Sequence, residues 1–271
     1  MGNPVKILVL GKGGMLGSRV FDVLSKFNVF EVTGTDRSTF NPLTNTPKEI
    51  FTLVSKYDYV INCIGVIKPA INLSCIDNAI YINSVFPHLL ARCCKEGVRL
   101  IHISTDCVYS GIPNSNPNIL NCYTEDVPHD ATDLYGKSKS LGEPPNCMTL
   151  RTSIIGEEPQ NSRSLVSWFL KQRGECDGFE NHFWNGITTN EYAKVCKKII
   201  LNDWYKCGLY HIFSTSLNKS LLLTLLKQKY KKDIRINTVR AAIPIDRTLG
   251  TTKDLCSKLQ IPPINEMVEE M

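Results

Sequence analysis

The run Val5-Lys6-Ile7-Leu8-Val9-Leu10, followed at once by Gly11-Lys12-Gly13-Gly14-Met15-Leu16-Gly17, decides how the rest of the chain is read. Its first six residues are almost all aliphatic, and by composition they form a buried strand. Past the glycines, Leu16, Val20, Val23, Leu24 and Phe27 recur at three or four residues, the spacing of one helix face. Further apolar runs at Val29–Thr33, Tyr59–Ile64, Arg99–Ser104 and Met148–Thr152 read as strands, and the segments around Asp77–Glu96 and from near Leu134 read as helices. Strand and helix alternating in this way predict an α/β fold: a doubly wound parallel sheet with right-handed crossovers and helices on both faces.

The glycines add a ligand to that frame. In Gly11-x-x-Gly14-x-x-Gly17 the outer two allow a tight turn and close helix–strand packing, and the middle one lets the backbone approach a pyrophosphate at the helix N-terminus. Met15 and Leu16 lie inside the same turn. Asp36 follows Gly17 by 19 residues, at the end of the second strand, where a carboxylate holds ribose hydroxyls. Arg37 beside it suits a 2′-phosphate, so the reading leans to NADPH and leaves NADH open. Cys63 and Gly65, at the end of the third strand, complete the candidate cofactor set. The context makes this a Rossmann-type nucleotide-binding domain over residues 1–152, with 187–213 expected to return to it. A smaller substrate-binding lobe is expected from 153–186 and 214–271. Tyr109–Asp133, rich in Pro, Asn and Asp, reads as a long surface loop beside the strand ends.

The bulk properties narrow the class. With 42% hydrophobic and 21% charged residues over 271 positions, the chain has enough apolar material for a full core. The net charge of +5 is concentrated between Lys219 and Arg240, seven basic residues against Asp233 alone. One basic stretch is weak support for nucleic acid, and its commoner reading is a solvated helix face. Eleven cysteines without a CxxC pair argue against a disulfide framework and against structural zinc. Cys63 and Cys196, within apolar runs, also read as small core residues. No apolar run approaches the ~20 residues that span a bilayer, and Val5–Leu10 is too short for a signal peptide. The expectation is a soluble, cytoplasmic protein of a reducing compartment with no nucleic-acid or membrane partner.

Two further segments carry chemistry. Ser104-Thr105-Asp106-Cys107-Val108-Tyr109 closes the fourth strand, and Tyr135-Gly136-Lys137-Ser138-Lys139 opens a helix. Tyr-x-x-x-Lys on a helix puts phenol and ammonium on one face, one turn apart. Reducing a carbonyl needs a proton donor at the oxygen while hydride reaches the carbon. Free tyrosine, with a pKa near ~10, exchanges protons poorly at neutral pH, and an adjacent ammonium is expected to lower that value. Lys139 can also grip the nicotinamide ribose, and Thr105 is placed to hydrogen-bond the carbonyl oxygen. Alone, such a Tyr/Lys pair is usually a solvated helix face; after a glycine-loop unit and a Ser-Thr-Asp strand end it is not.

These residues resemble the extended short-chain dehydrogenase/reductases, and within them the dTDP-4-dehydrorhamnose reductases. The similarity also takes in Tyr123-Thr124-Glu125-Asp126, Leu150-Arg151-Thr152-Ser153 and Ile245-Asp246-Arg247. It implies Thr105, Tyr135 and Lys139 as the catalytic triad, and Gly11, Gly14 and Gly17 on a nicotinamide cofactor. It also implies Asn83, in Tyr81-Ile82-Asn83, as the helix asparagine that supports the site, placed here with the substrate-binding set. A nucleotide-diphosphate sugar becomes the expected partner, reduced at its C4 ketone; a homodimer is left open.

Two departures bear on the substrate. Cys107 stands where these reductases usually carry an aromatic residue, and related bifunctional enzymes that epimerise a 4-keto sugar carry cysteine there. A C3 or C5 proton beside the ketone is acidified, and a thiol could shuttle it, its thiolate fraction raised near Lys139 or a bound cation. The alternative is that cysteine only makes room for a bulkier sugar. The stretches Ser164–Leu170 and Asn181–Gly186 resemble a branch associated with modified, often acetamido, UDP-sugars. Trp168 or Trp184 could stack on a pyrimidine, and Arg151 or Arg247 could bind the diphosphate; a core aromatic and a surface salt bridge are the competing readings. A 4-epimerase and a non-catalytic nucleotide-sensing subunit are alternatives on the same scaffold. A dehydratase is disfavoured, because Thr105 is followed by Asp106-Cys107 and not by Asp-Glu.

Overall fold

The computed structural model describes residues 2–95, 97–112, 122–159 and 163–271. Strand β1 (Val5–Leu10) has its last four side chains buried, Ile7 and Val9 in one core and Leu8 and Leu10 in another. Both faces of the strand are covered, which is why its sequence is an unbroken apolar run. The first core holds helix α1 (Met15–Leu24). Strand β2 (Phe30–Thr35) pairs in parallel with β1 from Val5↔Phe30 to Leu10↔Thr35. It starts later and runs further than the apolar run Val29–Thr33, because the ladder of β1 sets its length. Helix α2 (Pro47–Val54) starts at a capping box of Thr46 and Glu49 with Pro47 in its first turn, and β3 (Tyr59–Asn62) lies on the other side of β1.

The helix expected around Asp77–Glu96 is broken into α3 (Ile76–Ile80), a π-helical turn at Tyr81–Val85, and α4 (Phe86–Cys93). Glu96 lies outside the described residues. Pro87 accounts for the break: it has no N–H for the Asn83 carbonyl four residues back. That freed carbonyl meets Gly142, where an added Cβ would come within 1.8 Å of it.

Strand β4 (Arg99–Thr105), helix α5 (Leu134–Ser140) and strand β5 (Met148–Thr152) follow. Of the loop Tyr109–Asp133, residues 113–121 lie outside the described residues; Tyr109 and Tyr123 on its two sides stack with ring centroids 4.1 Å apart.

Beyond β5 come β6 (Ile154–Ile155), α6 (Leu165–Lys171), β7 (Gly174–Phe179), β8 (His182–Trp184), β9 (Ile187–Thr188), α7 (Thr189–Leu201) and β10 (Gly208–His211). The chain ends with β11 (Leu217–Asn218), α8 (Lys219–Lys229), β12 (Ile234–Val239), β13 (Ile245–Asp246), α9 (Leu255–Leu259) and α10 (Ile264–Glu269). The central sheet has the order β10-β5-β4-β3-β1-β2, and all its pairings are parallel. Helix α7 packs on α1 over one face, while α2 and α4 pack together over the other. A three-stranded sheet, β11-β8-β13, and the parallel pair β12-β7 form the smaller layer. Strand order reverses between β1 and β3, so a crevice opens at the carboxyl ends of these strands, where ligands bind such sheets. Among the described residues, no helix is long and apolar enough to cross a membrane.

Candidate active site

The glycine turn sits at the carboxyl end of β1. Gly11 has φ +84°, and the N–H groups of Gly11 and Lys12 both donate to the Thr35 carbonyl at 3.0 and 2.7 Å. A Cβ on Gly17 would lie 2.1 Å from the Gly11 carbonyl oxygen, so helix and turn touch backbone to backbone there. Helices α2, α5, α7 and α8 are capped by Thr46, Asp133, Thr188 and Asn218 side chains, whereas α1 begins at Gly14, which has no side chain to cap it. First-turn N–H groups left without such a cap make an anion site, and exposed Gly13 and Gly14 leave room for a pyrophosphate. The turn therefore fits a dinucleotide.

The side chain of Leu16 turns into the core, so only its backbone can serve the ligand, while Met15 is half-buried at the start of α1. Asp36 lies across from Gly13, and its Oδ1 accepts the Ser38 N–H at 3.0 Å and the Ser38 hydroxyl at 2.6 Å, which hold the carboxyl below its usual range. Arg37 is exposed beside it. Cys63 packs its side chain against the core near Tyr192 and Cys196, and burial pushes its thiol up to about 12. Only its backbone can face the crevice, whereas Gly65 is exposed at the mouth.

The structure brings Thr105, Tyr135 and Lys139 together. Thr105 ends β4, where its hydroxyl accepts the Cys107 N–H at 3.1 Å, donates to Asp106 Oδ1 at 3.1 Å and lies close enough to the Tyr135 phenol to act on it. Helix α5 is started by the Asp133 carboxylate, which accepts the Gly136 N–H at 3.0 Å. It lies so close to the strand end that a Cβ on Gly136 would sit 2.2 Å from the Cys107 carbonyl oxygen. One turn on, Lys139 is 5% exposed and donates to the Ile103 carbonyl at 2.8 Å.

The electrostatics differ from the expectation. Burial raises the Tyr135 phenol, and Cys107 and Asp106 add to the rise; the Thr105 hydroxyl opposes it. Any pull from Lys139 is outweighed, because burial brings the lysine itself down to about 8 and its ammonium is turned to the Ile103 carbonyl. A phenol kept protonated suits a proton donor.

Cys107 is corrected in the same sense. Burial, then Asp106, push its thiol up to about 12, and the cation opposing them is Arg247, not Lys139. It stands as a thiol, not as a thiolate.

Asn83, placed with the substrate-binding residues, is 1% exposed. Its Oδ1 accepts the Val66 N–H at 2.8 Å, and its Nδ2 donates to the Val66 carbonyl at 2.9 Å and to Ser138 Oγ at 3.1 Å. It ties the loop after β3 to α5 and so positions Tyr135. Arg151 is also corrected as a diphosphate ligand. It is fully buried, and its five N–H donors meet both Glu143 oxygens, the Tyr109 hydroxyl, His211 Nε2 and His129 Nε2. No donor remains for a ligand.

Trp184, 4% exposed, is walled in by Gly186 and Lys219, which excludes stacking on an open base. Trp168 is exposed on α6. Arg247 does reach the site: its Nε donates to the Tyr109 carbonyl at 2.9 Å, and its charge acts on Cys107 and Asp133.

Sequence reasoning missed Lys219. Its charge acts on Asp106, Cys107 and Arg247, and burial lowers its pKa. The available signal was its position: a lysine directly after the capping Asn218 stands at the positive end of a helix, where a cation needs a local reason.

A glycine-turn crevice with a Thr-Tyr-Lys group at a neighbouring strand end defines a Rossmann-fold protein of the extended short-chain dehydrogenase/reductase type. Its matches are consistent with that class. A family model described as RmlD substrate binding domain matches residues 5–222. The spore coat polysaccharide biosynthesis protein SpsK of Bacillus subtilis (strain 168) is 30% identical over 220 residues, 78% of this chain and 74% of that protein. The dTDP-4-dehydrorhamnose reductase of Bacillus anthracis str. Ames, solved in complex with NADP, superposes with a TM-score of 0.80 at 20% identity over 98% of both chains. The corresponding structure from Clostridium acetobutylicum ATCC 824 gives 0.78 at 22% identity, again over 98% of both chains. The chain belongs to the RmlD substrate binding domain family, and the resemblance read from its motifs is borne out at that level.

Proposed function

We propose that this protein reduces the C4 ketone of a nucleotide-diphosphate-linked 4-keto-6-deoxyhexose with hydride from a nicotinamide cofactor. The observation that carries the reading is the grouping of Thr105, Tyr135 and Lys139 at a strand end beside an uncapped glycine helix start, on a fold shared with structures named dTDP-4-dehydrorhamnose reductase. Gly11, Gly14 and Gly17 hold the cofactor pyrophosphate, with the backbone of Met15, Leu16, Cys63 and Gly65 around it. Asp36 and Arg37 hold the adenosine ribose end. Because Ser38 already occupies one Asp36 oxygen, exposed Arg37 favours NADPH over NADH.

The bound dihydronicotinamide supplies hydride. Thr105 and Tyr135 hydroxyls hold the ketone oxygen, and the Tyr135 phenol delivers its proton as negative charge develops there. Lys139, one turn away, stabilises the phenolate left behind. Arg247 faces the sugar nucleotide from the smaller lobe. In this reading Cys107, beside Tyr135, exchanges a C3 or C5 proton of the same ketone, which makes the enzyme an epimerase as well as a reductase; its nearness to the phenol supports this.

The test is oxidation of NADPH or NADH by the dehydratase products of dTDP-glucose, UDP-glucose and UDP-N-acetylglucosamine. Turnover with one of them, read by product mass, also identifies base and 2-substituent. Tyr135→Phe is expected to lose at least ~100-fold in turnover, the scale for a missing general acid. Near-normal turnover of that variant removes Tyr135 from the mechanism.

A further inference from the structure

Two cations at the adenosine end of the crevice are left uncommitted by the folded chain. Lys12, in the glycine turn, donates its N–H to the Thr35 carbonyl at 2.7 Å, which sets its backbone against the end of β2. Its stem then lies across Gly34: a Cβ on that glycine would meet Lys12 Cδ at 2.6 Å and Phe21 Cδ2 at 2.9 Å. A glycine inside a strand marks such a close approach. The Lys12 ammonium ends 5.7 Å from the Phe21 ring centroid. Side chains alternate along extended chain, so Gly34 and Asp36 face one side, and Asp36 Cβ lies 3.8 Å from where a Cβ on Gly13 would stand. Lys12 is thus bracketed between Gly34 and Asp36, with exposed Arg37 next to them. Among the described residues, neither the Lys12 ammonium nor the Arg37 guanidinium enters a hydrogen bond or ion pair. Lys68, Lys198, Lys232 and Lys253, by contrast, are each bound to a carboxylate or a carbonyl.

Asp36 is already tied into its own turn. Its Oδ1 accepts the Ser38 N–H at 3.0 Å and the Ser38 hydroxyl at 2.6 Å, and the Thr39 hydroxyl accepts the Asp36 N–H at 3.0 Å. The Ser38 bonds, and then the Lys12 charge, keep this carboxyl ionised. One engaged acid between two free cations leaves a positive balance, which suits a phosphate better than a ribose diol. We propose that Lys12 selects NADPH over NADH: its ammonium, together with the Arg37 guanidinium, binds the 2′-phosphate of the adenosine ribose. This rests on the dinucleotide reading of the glycine turn. Arg37, on the surface, must be ordered by the ligand, whereas the Lys12 stem is already laid down on Gly34, so less freedom is lost when its charge is used. The ring of Phe21 holds an ammonium only weakly, and a phosphate offers it an ion pair in exchange.

The experiment uses the whole protein without any sugar and measures Kd for NADPH and for NADH by the change in nicotinamide fluorescence. The wild-type protein is expected to bind NADPH more tightly. Lys12→Met keeps the stem on Gly34 and Phe21 but removes the charge. It should weaken NADPH by about 10- to 100-fold, the scale of one hydrogen bond to a charged group, and NADH by less than about 2-fold. Lys12→Arg should keep the preference. Phosphorus NMR of bound NADP⁺ gives a second readout: neighbouring cations lower the second ionisation of a phosphate from about 6, and Lys12→Met should bring it back up. Unchanged NADPH affinity in Lys12→Met overturns the assignment. Equal weakening of both dinucleotides does so too, because Lys12 then serves the shared pyrophosphate or the turn. If Lys12→Met fails to fold, Arg37→Met decides: a preference that vanishes there leaves no part for Lys12 and overturns the proposal. A wild-type protein that binds NADH as tightly as NADPH overturns the selection and leaves the cofactor crevice standing. One that binds neither overturns the dinucleotide reading itself.

Discussion

Lys139 shows how one side chain carries two opposed demands. It must be near enough to Tyr135 to support a phenolate, and the burial that puts it there brings its own pKa down to about 8. The charged form predominates below that value and is lost above it. Reduction, which leaves a phenolate for Lys139 to stabilise, should therefore decline as pH rises through about 8. The pH profile of kcat/KM checks this, and a flat profile from 7 to 10 would separate Lys139 from the rate. The Tyr/Lys pair and Thr105 were legible in the sequence, because helical spacing and a strand end suffice to place them. The direction of the tyrosine shift was not, since it depends on how deeply the lysine is buried and on its bond to Ile103. Arg151 was misread for a related reason: a lone arginine on a strand looks like an anion ligand until Glu143, eight residues before it, and the more distant His129 and His211 close around it.

Among the elements, the turn from β1 into α1 is tightly constrained. Gly17→Ala places a methyl group 2.1 Å from the Gly11 carbonyl oxygen, which is backbone and cannot swing aside. The turn must open, and the first N–H groups of α1 lose their common aim. A saturating nicotinamide cofactor, at ~100 times its Kd, stabilises a folded protein by about 2.7 kcal/mol. Gly17→Ala should lose most of that gain, measured as the NADPH-induced rise in Tm; an undiminished rise would contradict the cofactor assignment. The strands of the central sheet could be read from their apolar runs because both faces are covered. The break at Tyr81–Val85 could not, although Pro87 was visible. A proline inside an apolar period kinks, breaks or widens a helix, and only the Asn83 carbonyl against Gly142 selects among these. The short strands of the smaller lobe were missed because segments of two or three residues, such as β8, β11 and β13, are too brief to show a period.

At the scale of the molecule, buried Arg151, His211 and Tyr109 gather at the carboxyl ends of the sheet, with Glu143 partly buried beside them and His129 at the exposed edge. His211 accepts from Arg151 through Nε2 and bonds the Gly250 carbonyl through Nδ1 at 2.7 Å, so it is neutral when folded. Burial, then Arg151, bring its pKa down to about 4 from 6.5, and His129 shifts the same way. The unfolded chain binds these protons first as pH falls below about 6.5, so stability should drop between there and about 4, by ~3 kcal/mol for His211 alone. Urea midpoints across that range check the sign; a midpoint that holds steady or rises on acidification would contradict it. The cluster's effect on function is indirect, through the Tyr109 carbonyl that anchors Arg247. The central claim is hydride delivery to a sugar ketone held by Thr105 and Tyr135. Its most direct test is the mass and NMR of the product formed from a nucleotide-linked 4-keto-6-deoxyhexose and NADPH deuterated at the transferring position. The account predicts a single deuterium on C4 of an alcohol product. Cofactor that stays unconsumed with every such sugar, or a product without label on C4, would contradict it.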